Sequence, residues 1–327
     1  MQANTRHKPL PWKRWALLFL WAGFSFSGAS AKELAPLPLK QLTAHVYAVV
    51  GDSGPASAAN RGFNANAGFV VTPAGVVVFD SLGTAPLGEA LVQAIRRVTR
   101  QPIKCVIISH YHADHFYGLQ AFKAQGAEVW AQSHARQELA SDHIQQRLRQ
   151  RKQDLYPDVD EKQRIIPADK WIEGDHAFEL GGVHFKILGA GPAHTSEDIM
   201  LWVQEPRVLF AGDLFFQGRV PYVVGANLQG WLASLNKMAA LQADWVVPGH
   251  GQPSRDPAPG IAMTRDYLQF LMASMGQGAD EMLTFDEAYA RVDWGAWATM
   301  PAFDAANRLN AYAAYLEMQQ ESLKNKR

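Results

Sequence analysis

The sequence predicts an α/β fold on three observations. Short runs rich in β-branched residues alternate with stretches whose apolar residues recur at helical spacing. Four of the predicted strands run into polar loops that carry histidine or aspartate among small residues. From about residue 260 the strand signal stops, and Met, Ala, Tyr and Leu recur at helical spacing instead, which predicts a C-terminal helical region over 260–327.

The elements follow in order. Arg6, Lys8, Lys13 and Arg14 precede the apolar run "WALLFLWAGFSFSG" (15–28), and Ala29, Ser30 and Ala31 offer a small-x-small cleavage site. This predicts a signal peptide over 1–31, cut after Ala31, and a periplasmic or secreted mature chain. The apolar run is too short and interrupted to span a membrane, so no stable anchor is expected after cleavage. "HVYAVV" (45–50), "AGFVVT" (67–72) and "GVVVFD" (75–80) read as strands, the last two joined in a hairpin by Thr72–Gly75. Leu91, Ala94, Ile95 and Val98 mark a helix over 88–100, and "IKCVIIS" (103–109) is a strand. A short helix over 116–126 closes on Gly126, and "AEVWAQ" (127–132) is again a strand.

Residues 135–170 are polar and helix-prone, an expected helical insertion over one face. Strands return at 182–188, 198–204 and 207–213, with Glu205 and Pro206 linking the last two. An amphipathic helix is expected over 228–241, and "DWVVPGH" (244–250) is a strand entering a loop. In the tail, Thr284 and Glu287 have the spacing of a capping box.

Composition narrows the function. The chain has 327 residues, 31 basic and 31 acidic, so no basic excess points to nucleic acid. Removing 1–31 takes away four basic residues and no acidic one, leaving a mature net charge of −4. Cys105, the single cysteine, lies in an apolar strand, where a buried packing role is expected. A metal site must then rely on His and Asp.

"ISHYHADHFYG" (108–118) supplies such residues densely: His110, His112, Asp114 and His115. His110 and His112, two apart, project to the same side of an extended backbone. Asp114 and His115 fall at the start of the next helix, where free amides and the helix dipole favour a carboxylate. Ligands that enter one hollow from two flanks suit two adjacent metals better than one. Three further strand-end loops each offer one more: His194 in "GAGPAHTSED", Asp213 in "LFAGDLFF" and His250 in "VVPGHGQP". His7, His45, His134, His143, His176 and His184 lack this context and are expected at the surface or locally bonded.

These four loops, in this order, resemble the metallo-β-lactamase superfamily of metallohydrolases over residues 38–255. The resemblance implies an αββα sandwich with metals at one edge. It implies that His110, His112 and His194 hold one metal, that Asp114, His115 and His250 hold the other, and that Asp213 bridges them. It also implies that Asp80, closing "VVVFDS", supports the ligands from behind. Zinc is the expected metal, and a site of nitrogen and oxygen donors would also accept iron or manganese.

The implied reaction is hydrolysis of an ester, thioester, lactone or related acyl bond of a small molecule by a metal-bridging hydroxide, with Asp114 as the catalytic carboxylate that orients it and passes a proton. A β-lactamase is a second reading, disfavoured by Asp213, which lactamases of the superfamily usually lack. An iron-dependent sulfur or persulfide dioxygenase is a third, and a non-catalytic periplasmic metal-binding accessory a fourth. The signal, the tail and "RGFNANAGFVVTPAGVVVFDSLGT" (61–84) most resemble exported members associated with sulfur oxidation and quinoprotein relay systems, which implies a periplasmic dehydrogenase as partner.

Side chains near the site complete the expectations. Asn64 and Asn66 are expected either as substrate donors or as turn residues, and Tyr111 as packing. Phe215, Phe216, Tyr222 and Trp231 are candidates for an apolar wall, at least half of them for the core. Thr195 and Asp198 are expected to tie down the loop of His194.

Overall fold

A computed structural model describes residues 1–2 and 34–325. All but the first two residues of the expected signal peptide lie outside the described residues, as does His7. Among described residues no helix is long and apolar enough to cross a membrane. Residues 32–327 form a unit of their own.

The first half of that unit builds one mixed sheet. Its strands are β1 (Lys40–Gln41), β2 (Val46–Val49), β3 (Ala67–Thr72), β4 (Gly75–Phe79), β5 (Ile103–Ile107), β6 (Glu128–Gln132) and β7 (Lys170–Ile172), in that spatial order. Pairing is antiparallel from β1 to β4 and parallel from β4 to β7. Between these strands lie helices α1 (Ala85–Val98), α2 (Ala113–Phe116), α3 (Leu119–Lys123), α4 (Ala135–Leu139) and α5 (Asp142–Asp154). The second half adds β8 (His176–Leu180), β9 (Val183–Gly189), β10 (Ile199–Val203), β11 (Val208–Phe216) and β12 (Trp245–His250), ordered β12-β11-β10-β9-β8, with α6 (Leu228–Ala240) before β12. The tail is helical: α7 (Ala258–Asp280), α8 (Phe285–Arg291) and α9 (Phe303–Asn325).

Burial shows the layering. Alternate residues on one face of the first sheet (Val46, Val70, Val77, Phe79, Cys105, Ile107) meet Phe185, Ile187, Leu201, Phe210 and Val247 of the second. Gly68 makes this approach feasible, since a Cβ there would stand 2.2 Å from the Phe210 ring. The outer face of the first sheet packs on α1, α3 and α5. The outer face of the second packs on α6, α7 and α9. The order is therefore helix, sheet, sheet, helix: the expected αββα sandwich, with the tail joined to its second outer layer.

Some local expectations need correction. The helix expected over 116–126 is split into α2 and α3, because the loop after β4 takes its backbone groups. Ser81 N donates to His115 O at 2.7 Å and Gly118 N donates to Leu82 O at 3.0 Å. α1 begins before residue 88, since Thr84 caps it by accepting from Leu87 N and Pro86 suits the first turn. β8, in which half-buried and exposed residues alternate with none fully buried, gave no strand signal in the sequence. The strand expected to end at Asp213 runs on to Phe216, so Asp213 lies within β11 and not after it. The capping box of Thr284 and Glu287 is present.

Candidate metal centre

Four strand ends and the interior of β11 converge at one edge of the sandwich. β4 delivers Asp80, the loop from β5 to α2 delivers His110 to His115, the loop from β9 to β10 delivers His194, β11 delivers Asp213 and β12 ends on His250. Their ligand atoms form two groups, His110, His112, His194 and Asp213 in one, Asp114, His115 and His250 in the other. Within each group the atoms lie within 4.8 Å of one another.

Hydrogen bonds at the rear of the rings decide which nitrogens face inward. His110 Nδ1 lies 2.9 Å from Ser109 Oγ, His115 Nδ1 lies 2.8 Å from Asp80 Oδ2, and His250 Nδ1 lies 2.6 Å from the carbonyl of Asn64. The Nε2 atom of each of these three rings is left for the interior. His112 Nδ1 and His194 Nε2 lie 2.9 Å apart, facing one another. Asp213 stands between the groups: Oδ1 is 3.1 Å from His115 Nε2, while Oδ2 is 3.4 Å from His194 Nε2 and 3.3 Å from His250 Nε2.

A divalent cation fits this donor set. His110 Nε2 is buried without a hydrogen-bond partner, a costly state that coordination would relieve, and His115 Nε2 and Asp213 Oδ1 have only one another, at 3.1 Å. The electrostatics match for most of the set. Burial, with His115, His112 and His194 around it, pushes His110 well below its usual value. Burial and His194 do the same to His112, and burial holds His194 down to about 4. Burial opposes ionisation of Asp114 and Asp213, but the surrounding imidazoles overcome it and hold both carboxyls low. Neutral imidazoles and ionised carboxylates are what a metal needs. His115 differs from His110, His112 and His194: burial pulls it down, yet the carboxylates of Asp213 and Asp80 on either side hold it well above its usual value.

The supports explain why the backbone runs as it does. Asp80 adopts φ 60°, a left-handed conformation that Asp tolerates. From there its carboxylate accepts from Ser109 N at 2.7 Å and Ser109 Oγ at 2.9 Å, besides His115. One buried carboxylate thus fixes both ends of the 109–115 loop. Asp213 is aimed by a register shift in the pairing of β11 with β12, centred on Gly212 at φ 54°. Gly249 lets it in, since a Cβ there would fall 1.9 Å from Asp213 Oδ1.

The other expected residues divide by role. Asn64 Nδ2 donates to Asp114 Oδ2 at 2.9 Å. Asn66 bridges backbone, donating to Pro248 O and Gly251 O and accepting from Gly51 N, so it braces the loop of His250. Thr195 donates twice to Asp198, at 2.7 and 2.8 Å, which ties down the loop of His194. Tyr111 is fully buried against Phe116. Phe216 and Tyr222 line the cavity over the site, whereas Phe215 and Trp231 belong to the core. Burial pushes the Cys105 thiol up to about 12, in keeping with packing. His45, His134, His143 and His184 are exposed, and His176 is bonded to Lys170.

Sequence reasoning missed Ser109, Glu197, which accepts from Tyr111 N at 3.3 Å, and three arginines at the cavity, Arg147, Arg151 and Arg219. In the sequence the first two arginines belong to the polar helical insertion expected over one face, with nothing that singles them out, and nothing around Arg219 distinguishes it.

The profile of the metallo-beta-lactamase superfamily matches residues 60–250. The chain belongs to that superfamily. It is a metal-dependent hydrolase by family, with a His/Asp site that could hold metal. Among curated members it is 24% identical over 232 residues to metallo-beta-lactamase IND-1 of Chryseobacterium indologenes, spanning 69% of this chain and 86% of that one. It is 23% identical over 261 residues to a linear primary-alkylsulfatase of a Pseudomonas strain, spanning 68% of this chain but 49% of that longer protein. Among solved structures, a metallo-beta-lactamase from Pontibacter korlensis superposes with a TM-score of 0.57 at 19% identity, over 71% of this chain and 99% of its own. The inverting sec-alkylsulfatase Pisa1 from Pseudomonas sp. gives 0.67 at 19% identity, over 86% of this chain and 50% of its own.

Proposed function

We propose that this chain is a binuclear metal hydrolase of a small-molecule ester, thioester, lactone or related bond. The observation that carries the reading is Asp213, whose two oxygens face the two ligand groups at 3.1 to 3.4 Å. His110, His112 and His194 would hold one ion, Asp114, His115 and His250 the other, with Asp213 shared. Zinc suits the donors, and iron or manganese would also be accepted. Two such ions, when bound, supply Lewis acidity and water activated near neutral pH.

The chain's own residues do the rest. Asn64 holds Asp114 through Oδ2, so the other oxygen of this carboxylate can take a proton and return it to the leaving group. Ser109, Asp80 and the Asn64 carbonyl hold three rings in the tautomer that keeps Nε2 toward the reaction. Phe216 and Tyr222 give the cavity an aromatic lining beside the ligands.

A second reading keeps the site and changes the bond to a sulfate ester. It is favoured by the extent of the likeness to the sec-alkylsulfatase, 86% of the chain against 71% for the lactamase. The proposal further includes export, supported by the sequence of 1–31, and a periplasmic dehydrogenase as partner, supported by the sequence resemblance alone. One experiment tests the whole: isolate the protein from the periplasm, sequence its N-terminus, count metal per chain, and assay ester, thioester, lactone, nitrocefin and alkyl sulfate substrates. Two metals per chain with turnover are expected. A single iron with oxygen uptake, or two metals with no turnover on any substrate, would overturn the hydrolase reading.

A further inference from the structure

The cavity over the metal centre measures about 520 Å³, room for a small molecule. Its walls differ in chemistry. One is the metal centre itself. A second is α5, which presents Arg147 and Arg151, four residues apart and so on one face of the helix. The third is the start of α9 and the residue before it, with Ala302, Ala305, Ala306 and Leu309. These four lining residues carry no charge.

The two arginines of α5 are little occupied by structural work. Arg151 makes no side-chain hydrogen bond or ion pair among the described residues, although it is only half-exposed. Arg147 is lightly held: Nη1 reaches Tyr111 O at 3.3 Å and Glu138 Oε1 at 3.4 Å. Asp154, also at the cavity, is bonded to Gln150 and not to either arginine. Across the cavity Arg219 is buried with its Nε unpartnered, though Nη1 lies 3.2 Å from both Gly54 O and His250 Nδ1. Three guanidinium groups border one hollow, two of the three carboxylates that share its lining, Asp114 and Asp213, belong to the candidate metal ligands, and a planar fork suits a carboxylate or sulfate-type oxyanion.

We propose that the substrate carries an oxyanion group that docks on Arg147 and Arg151, while its apolar part lies against the Ala305, Ala306 and Leu309 wall of α9. This rests on the hydrolase reading for the word substrate, but the docking itself does not. The helical insertion and the helical tail, which contribute no metal ligand, thereby select the ligand.

The test is equilibrium binding to the metal-loaded full-length protein by titration calorimetry. The probes are octanoate, octanesulfonate and neutral octanamide. At least one anion should bind about tenfold tighter than the amide, and R151A should lose about that factor while octanamide is unchanged. R147A should lose a similar factor. R149A, on the exposed face of the same helix, removes equal charge and should lose nothing. Stronger binding of octanoate identifies a carboxylate ligand, and stronger binding of octanesulfonate a sulfate-type one. Octanamide binding as tightly as both anions, or R151A binding them as wild type does, overturns the proposal. Arg151, with no side-chain partner to lose, is the decisive position. Anion preference without turnover on any substrate would sink the hydrolase reading and leave the subsite standing. Turnover of neutral esters without anion preference would do the reverse.

Discussion

The two sheets build the candidate metal centre in opposite ways. The first sheet supplies four of the seven ligand candidates from one loop, His110 to His115. The second supplies three, one each from three separate places, His194, Asp213 and His250. The compact loop is secured from behind by one buried carboxylate, Asp80. The dispersed set is secured piecewise: Thr195 with Asp198, a register shift at Gly212, a bare Cα at Gly249, and Asn66. A dense motif needs one support, whereas ligands far apart in sequence each need their own.

The largest expected effect comes from the residue that joins the two halves. Asp213→Ala should lose metal from both groups and abolish turnover, while His112→Ala should abolish turnover but retain metal in the second group. Metal counting on both variants checks this, and equal loss would mean that the groups are not separate. Next is Gly249→Ala. Its new Cβ would displace Asp213, so activity should fall nearly as far as in Asp213→Ala with every ligand still present. Wild-type turnover would show that the dispersed side tolerates looser packing than the geometry indicates.

A smaller effect is expected behind the compact loop. Asp80→Asn should weaken metal affinity by roughly 10–100-fold, the usual cost of losing a ligand's hydrogen-bonded support. A chelator competition titration measures it, and an unchanged affinity would show that Ser109 alone suffices.

The smallest lies in the frame of the first sheet, away from the metals. Asp169 accepts from Val129 N and pairs with Lys123, which together outweigh its partial burial and hold its carboxyl below the usual value. A lowered carboxylate stabilises the fold above the unfolded pKa of about 4, and loses that contribution as pH falls through the lower folded value. Asp169→Asn should therefore lower Tm slightly at neutral pH, with the gap closing in acid. A gap that widened in acid would reverse the sign.

The comparison also explains what could be read early. His110, His112, Asp114 and His115 were legible because six consecutive positions hold four coordinating side chains after an apolar strand. His194, Asp213 and His250 were legible only as a set, since each follows a strand and sits among small residues. The strand ends themselves were less clear. Asp213 looked terminal, because a register shift is a property of two paired strands and neither sequence shows it alone. The split between α2 and α3 was hidden for the same reason, as it depends on the backbone of a loop more than thirty residues earlier.

By itself the sequence determined the α/β class through its alternating patterns and singled out the candidate metal ligands, because periodicity and side-chain type are local properties; the αββα order of layers was implied by the family resemblance. Tertiary structure decided which nitrogen of each ring faces inward, since that depends on Ser109, on Asp80 and on a carbonyl 186 residues from His250. It also decided that two arginines of a polar helix face the cavity and not the solvent. Helical spacing puts Arg147 and Arg151 on one face, but only packing against the rest of the molecule determines where that face looks.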